Sequence, residues 1–178
     1  MPYAVAGYFD KSTDGKIKAL WKGMADTGVC HYMIESANDP HIKFAMFDGL
    51  DLDAAKERLC LLTGKTGQIP LHFKSYSFYP NTDPFLCIDI AVSSSVLHLH
   101  AAIHNTLGNI GTGDYHYYFG AGLWKPDCQL TIGIEKAKLA KAVQYLAETQ
   151  LPFDGMLERV GVIEFHPAKQ LFACALSQ

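Results

Sequence analysis

Four polar residues stand out for their type and spacing. His41 and Lys43 alternate with Ile42 and Phe44 in Asp39-Pro40-His41-Ile42-Lys43-Phe44-Ala45, and Asp127 and Gln129 alternate with Cys128 and Leu130 in Lys125-Pro126-Asp127-Cys128-Gln129-Leu130-Thr131. Side chains two apart on a strand share a face, so each Pro-led segment offers two polar groups over an apolar back. An imidazole takes or gives a proton near neutral pH, and a carboxylate can serve as its partner. A lysine ammonium grips an anionic oxygen as a point charge, and a glutamine amide donates and accepts. If the two strands face each other, all four residues line one cleft.

Other residues invite chemical readings and have plainer ones beside them. His100 and His104 have the i, i+4 spacing used for metal ligation, with His98 on the same helix. No His-Glu-x-x-His pattern accompanies them; His100 falls near the apolar stripe and His104 flanks it, so packing or surface placement accounts for both rings. The run Tyr115-His116-Tyr117-Tyr118-Phe119, with Gly111, Gly113, Gly120 and Gly122 around it, could stack a base or sugar, or close as a lid over the cleft. Packing onto the core is its plainer role. His72 and Lys74 share a strand face and could add positive character to the cleft, with surface exposure as the plainer reading. Ser75, Ser77, Thr131, His31, His116 and His166 show no partner in the sequence.

The elements that must position these groups follow from periodicity. Tyr3 to Phe9 reads as a strand buried on both faces, and Asp14 opens a helix whose apolar positions Ile17, Leu20, Trp21, Met24 and Ala25 run to Gly28. Pro40 to Phe47 reads as a strand, and Leu52 to Leu62 as a helix closed by Gly64. Ile69 to Phe78 and Phe85 to Val92 form a hairpin across the Pro80 and Pro84 turn. Ser93 to Ser95 supply N-cap candidates for a helix through Leu107, striped by Val96, Leu99, Ile103 and Leu107. After the glycine-rich stretch Gly108 to Gly122 come a strand (Pro126 to Ile134), a helix (Lys136 to Glu148) and two closing strands (Phe153 to Phe165, Lys169 to Leu176). Helix-linked strands mixed with hairpins favour an α+β fold over a doubly wound parallel sheet.

Composition narrows the function classes. The 178 residues carry 15 Lys plus Arg against 18 Asp plus Glu, a formal charge of −3, with no run of like charges to grip duplex DNA or an anionic membrane. No apolar run approaches the roughly 20 residues that span a bilayer, and the N-terminus lacks the regions of a signal peptide. Five separated cysteines, Cys30, Cys60, Cys87, Cys128 and Cys174, form no C-x-x-C pair and read as buried thiols of a cytoplasmic protein. Neither standard glycine-rich phosphate loop is present, and no cofactor or metal is called for.

The two Pro-led segments are each followed by an amphipathic helix, so the chain reads as a duplication. The frame Pro40-His41-Ile42-x-Phe44-Ala45, the later Trp124-Lys125-Pro126-x-Cys128-x-Leu130, and the Leu71-His72-Phe73 to Phe78-Tyr79-Pro80 hairpin resemble the 2H phosphoesterase superfamily, which includes 2′-5′ RNA ligase-like and cyclic phosphodiesterase proteins. The resemblance covers nearly the whole chain. It implies one α+β domain over residues 1–178, bilobal and pseudo-symmetric, with duplicated antiparallel sheets and flanking helices around a central cleft. It also implies two His-x-Thr/Ser motifs, whose histidines act as general base and acid on a 2′,3′-cyclic or 2′,5′ phosphodiester while the hydroxyls hold phosphate oxygens. A nucleotide or RNA end is the ligand this resemblance implies.

His41 and Asp127 start the two motifs, 86 residues apart. Only His41 matches. Lys43 stands in place of the first hydroxyl, Asp127 in place of the second histidine and Gln129 in place of the second hydroxyl. A carboxylate about 4 Å from a phosphodiester costs on the order of 4 kcal/mol at an effective dielectric near 20. Lys43 can offset this by gripping the phosphate, or can pair with Asp127 and plug the cleft. Three readings follow: a degenerate member that binds a small nucleotide-like or other anionic ligand through Lys43 and Gln129; an active phosphodiesterase or hydrolase using His41 and Asp127 as an acid/base pair; and a polar core of structural value only. A non-enzymatic partner-binding domain is a further alternative.

Overall fold

The computed structural model describes residues 2–36, 38–113, 119–165 and 168–178. Nine strands and five α-helices follow in the order β1 (Tyr3–Phe9), α1 (Lys11–Asp26), α2 (Tyr32–Glu35), β2 (His41–Phe47), β3 (Gly49–Leu50), α3 (Leu52–Thr63), β4 (Ile69–Tyr79), β5 (Phe85–Ile90), α4 (Ser94–Leu107), β6 (Gly111–Thr112), β7 (Asp127–Gln129), α5 (Leu139–Ala147), β8 (Phe153–Glu164) and β9 (Lys169–Ala175), counted among the described residues. A 3-10 turn, Lys136–Lys138, leads into α5. The α+β class read from the sequence is the observed one.

Local chemistry sets the helix starts. The Asp10 carboxylate caps α1 by accepting from Ser12 N and Thr13 N at 2.8 and 3.0 Å, so the helix begins one turn before Asp14. Its other oxygen accepts from Met156 N at 2.8 Å, fastening the helix start to β8. Asp51 and Ser93 cap α3 and α4 in the same way, and Gly64 and Gly108 follow their last turns.

Seven strands share one sheet in the order β1-β2-β7-β5-β4-β8-β9, and an additional β1–β8 pairing closes six of them into a circuit with β9 outside. Every pairing in this sheet is antiparallel. One face carries the core: Val5, Ile42, Phe44, Phe73, Ile88, Cys128, Val160 and Val162 pack with Ile17 and Trp21 of α1, Leu59 of α3, Ile103 of α4 and Leu146 of α5. The alternate residues of the same strands point to the opposite face, where the polar groups gather. A bulge in β4 between Phe73 and Ser75 switches its parity, so that Ser75, Ser77 and Tyr79 join that polar face.

The strand expected over Pro126 to Ile134 is shorter, with β7 limited to Asp127–Gln129. Leu130 N and Thr131 N both donate to Leu86 O, and the chain then turns at Gly133, whose φ of 61° suits a residue without a Cβ. The cysteine reading needs a larger correction. α3 packs against β9, and Cys60 and Cys174, 114 residues apart, meet with their Cα atoms 5.2 Å apart and form a disulfide. Cys30, Cys87 and Cys128 are free and buried, as expected. Among the described residues no helix is long and apolar enough to cross a membrane.

Candidate functional site

The polar face is organised by register. Ile42 pairs with Cys128, which sets His41 across from Gln129 and Lys43 across from Asp127 on adjoining antiparallel strands. Outward from β7, Asp127 lies opposite Asp89 and Gln129 opposite Cys87 on β5. In turn, Ser75 and Ser77 of β4 lie opposite Asp89 and Cys87. Outward from β2, His41 faces Tyr8 of β1, and Tyr8 faces Arg159 of β8, whose guanidinium sits 5.1 Å from the Tyr8 ring centre. The four residues singled out from the sequence are therefore brought together on one surface. α1 helps hold it, since Trp21 Nε1 donates to Gln129 O at 3.0 Å.

His41 is poised in one tautomer. Its Nδ1 lies 2.7 Å from Asp39 O, a carbonyl that can only accept, so the proton sits on Nδ1 and Nε2 carries a lone pair. Burial, with the Lys43 ammonium nearby, pushes the imidazole down to about 4 against the opposing hydrogen bond to Asp39. At neutral pH His41 is thus an uncharged acceptor. It lines a cavity of about 310 Å³ together with Lys43, Gln129, Trp21, Tyr32 and Phe165.

Lys43 does not pair with Asp127, as one sequence reading allowed. Its Nζ donates to Gln129 Oε1 at 3.3 Å, and among the described residues no carboxylate forms an ion pair with it. Asp127 has other partners. Tyr79 OH donates to its Oδ2 at 2.6 Å, and Lys125 Nζ stands 3.7 Å from the same oxygen. Lys125 in turn donates to Asp89 Oδ1 at 2.7 Å and to Ser77 Oγ at 2.9 Å. Asp89 is completed by Ser77 at 2.7 Å and Ser75 at 3.0 Å.

The charges in this network are shaped by burial. Desolvation raises the Asp127 carboxyl above its usual range, although the Tyr79 hydroxyl and the Lys125 and Lys43 ammoniums work the other way. Burial and donation to Asp127 push the Tyr79 phenol up. Burial opposes the Lys125 charge, but its bonds to Asp89 and Tyr79 outweigh that and hold the ammonium protonated. A lysine held this way is a fixed cation rather than a base. The free thiol of Cys87 is buried in the same surface and pushed up by desolvation, which leaves it unreactive.

The other sequence candidates are used elsewhere. His72 Nδ1 meets Asp154 Oδ1 at 2.7 Å across the paired strands β4 and β8, with both side chains exposed. His100 and His104 each spend Nε2 on a backbone carbonyl, Phe119 O at 2.6 Å and Phe44 O at 3.0 Å. No group of three His, Cys, Asp or Glu able to hold a metal occurs among the described residues. Of the aromatic run Tyr115 to Phe119, residues 115–118 lie outside the described residues. Sequence reasoning missed Tyr79, Lys125, Asp89, Ser75 and Ser77. The alternation Ser75-x-Ser77-x-Tyr79 was the available signal, hidden by the bulge that changes the strand's parity.

An α+β chain with a closed antiparallel circuit and a polar cleft on its open face has the fold of the LigT-like phosphoesterases, as the sequence resemblance implied. The structure is similar to Escherichia coli LigT complexed with 3′-AMP (TM-score 0.64, 12% identity, 100% of each chain). It is similar to the TT0787 protein of Thermus thermophilus (TM-score 0.62, 12% identity, 99% of this chain and 98% of that one) and to Kluyveromyces marxianus Usb1 (TM-score 0.51, 10% identity, 96% of each). E. coli LigT has also been solved complexed with ATP, with NADP+ and with phosphate. No protein-family model and no curated protein matches the sequence.

Proposed function

We propose that this chain is a 2H phosphoesterase-like protein whose cleft binds a small phosphate-bearing, nucleotide-like ligand and has lost half of the acid/base pair needed to cleave it. One observation carries this reading: the carboxylate standing for the second histidine already accepts from Tyr79 and neighbours Lys125. A general acid must present a proton to the leaving oxygen within hydrogen-bond reach. Asp127 instead accepts one, inside a network in which Lys125 and Asp89 satisfy each other.

The first half is differently equipped. Among the described residues Lys43 Nζ has only Gln129 as a hydrogen-bond partner, so its ammonium is available to an anionic oxygen. His41 Nε2 accepts rather than donates, which suits a ligand hydroxyl beside that anion. Phosphate on Lys43 and a sugar hydroxyl on His41 describe a nucleotide-like ligand, and the nucleotides seen with E. coli LigT support that class. The element order supports reading residues 1–178 as one domain of two lobes, β-α-β-β-α-β in the first and β-α-β-β-α-β plus β9 in the second, with α2 as a short insertion.

The active reading has one observation in its favour. A neutral His41 with a bare Nε2 is competent as a general base, and burial of Asp127 favours its protonated form. Both readings are tested together by calorimetric titration of 3′-AMP, ATP and 2′,3′-cyclic AMP, with chromatography of the cyclic compound after incubation. The binding reading expects 3′-AMP to bind, Lys43→Ala to weaken it about tenfold or more, and the cyclic phosphate to stay intact. Turnover that disappears in His41→Ala would replace it with the enzymatic reading. Absence of binding by every nucleotide would refute both.

A further inference from the structure

The edge of β2 next to Lys43 is built in an unusual way. β1 pairs along β2, but Val5 faces Ala45 and Ala6 faces Lys43, so Phe44 is an extra residue opposite no partner. On the other edge β7 pairs with β2 only at Ile42. Two successive carbonyls just beyond that point are taken by side chains instead of a strand. Trp124 Nε1 donates to Lys43 O at 2.8 Å, and His104 Nε2 donates to Phe44 O at 3.0 Å. A carbonyl only accepts, so both rings carry their proton at the bonded nitrogen.

The two donors are themselves held. The Trp124 ring stacks on Phe44 at 5.3 Å between centres and on His100 at 4.2 Å, the latter within 12° of parallel. His100 is buried, packs 4.4 Å from His104, and donates Nε2–H to Phe119 O at 2.6 Å. Trp124 immediately precedes Lys125, Pro126 and Asp127 in the chain, so one indole ties the backbone under Lys43 to the segment that carries the other side of the cleft.

We infer that Trp124 and His104 are positioning residues for Lys43: by holding the two carbonyls of the β2 bulge they set the direction in which the ammonium reaches into the cleft. His100 supports the pair by stacking. This accounts for the histidine pair at i, i+4 without a metal, and it rests on Lys43 being the anion contact proposed above. A lysine has a long, rotatable stem, so its aim depends on the backbone it leaves from. A bulge is where that backbone has two ways to point.

The test uses the whole chain and two probes, inorganic phosphate and 3′-AMP, titrated by calorimetry. Trp124→Phe keeps an aromatic ring, though a smaller one, for the stack and deletes the N–H; His104→Leu deletes its donor; His104→Gln keeps an N–H donor on a flexible stem. Trp124→Phe and His104→Leu are expected to weaken both probes about three- to tenfold, with His104→Gln within about twofold of the natural protein. In a Lys43→Ala background, Trp124→Phe should change nothing further, because the group it aims is gone. An equal loss with and without Lys43, or no recovery in His104→Gln, would show the cluster to be structural only and overturn the inference. If Trp124→Phe fails to fold, the His104 pair decides alone. If Lys43→Ala by itself leaves both affinities unchanged, the anion-contact reading fails first, and that outcome is separable from failure of the positioning role.

Discussion

Acid should weaken this fold through one ring. His41 has its pKa drawn from the ordinary 6.5 down to about 4 by burial, with the Lys43 charge helping. A depressed folded-state pKa means that the unfolded chain takes up the proton first. The stabilisation is therefore fully present above pH 6.5 and is lost as the pH falls through about 4. The two values differ by enough for about 3 kcal/mol in full, of which about 2 kcal/mol is already gone at pH 5. Asp127 runs the other way. Its raised folded pKa adds stability as it is protonated, so the raw pH curve mixes two signs. Urea unfolding of the natural protein and of His41→Asn at pH 7, 6 and 5 isolates the histidine, because Asn does not titrate but can still donate to Asp39 O. The natural protein should lose about 2 kcal/mol more than the variant between pH 7 and pH 5. The His41 imidazole, followed by nuclear magnetic resonance, should stay neutral to below pH 5. Parallel curves, or an imidazole titrating near 6.5, would refute both the burial argument and the neutral acceptor on which the ligand hydroxyl contact depends.

Two further outcomes follow from the same geometry. Tyr79→Phe removes the donor to Asp127 Oδ2 inside a half-buried network and should cost about 1–3 kcal/mol of stability, read as a lower urea midpoint; an unchanged midpoint would mean that water replaces the hydroxyl without loss. Reduction of Cys60–Cys174, or Cys60→Ser, should cost about 2–4 kcal/mol because the bridge closes a loop of more than one hundred residues. A reduced chain as stable as the oxidised one would refute the loop-closure argument.

Much of the fold was legible because its signals are local. The helix over Leu52–Thr63 is closed by Gly64 as its sequence suggests, and the Ser93 cap and the Val96, Leu99, Ile103, Leu107 stripe of α4 are all observed. The hairpin across Pro80 and Pro84 pairs Tyr79 with Phe85 as the turn residues imply. Where reading failed, the cause was a neighbour distant in sequence. β7 shrinks to Asp127–Gln129 because the residues after it bond to Leu86 O rather than continuing a ladder. α1 starts at Lys11 because Asp10 serves both the helix and Met156 of β8.

The candidate site divides along the same line. Alternation by itself determined that His41 pairs in direction with Lys43, and Asp127 with Gln129, because a strand's side chains repeat every two residues whatever surrounds it. The resemblance to a His-x-Thr/Ser frame, and the reading of Lys43, Asp127 and Gln129 as replacements within it, also come from the residues alone. Which group each polar atom meets was decided only by tertiary structure. Lys125 rather than Lys43 comes within ion-pair distance of Asp127, Tyr79 reaches it from the hairpin, and Trp124 and His104 take the carbonyls beneath Lys43. Tyr79, His104 and Trp124 lie between 48 and 81 residues from the groups they meet. Hydrogen bonds and ion pairs act over a few ångströms of space, and only the folded sheet, with its one-residue bulges, brings those atoms within that range.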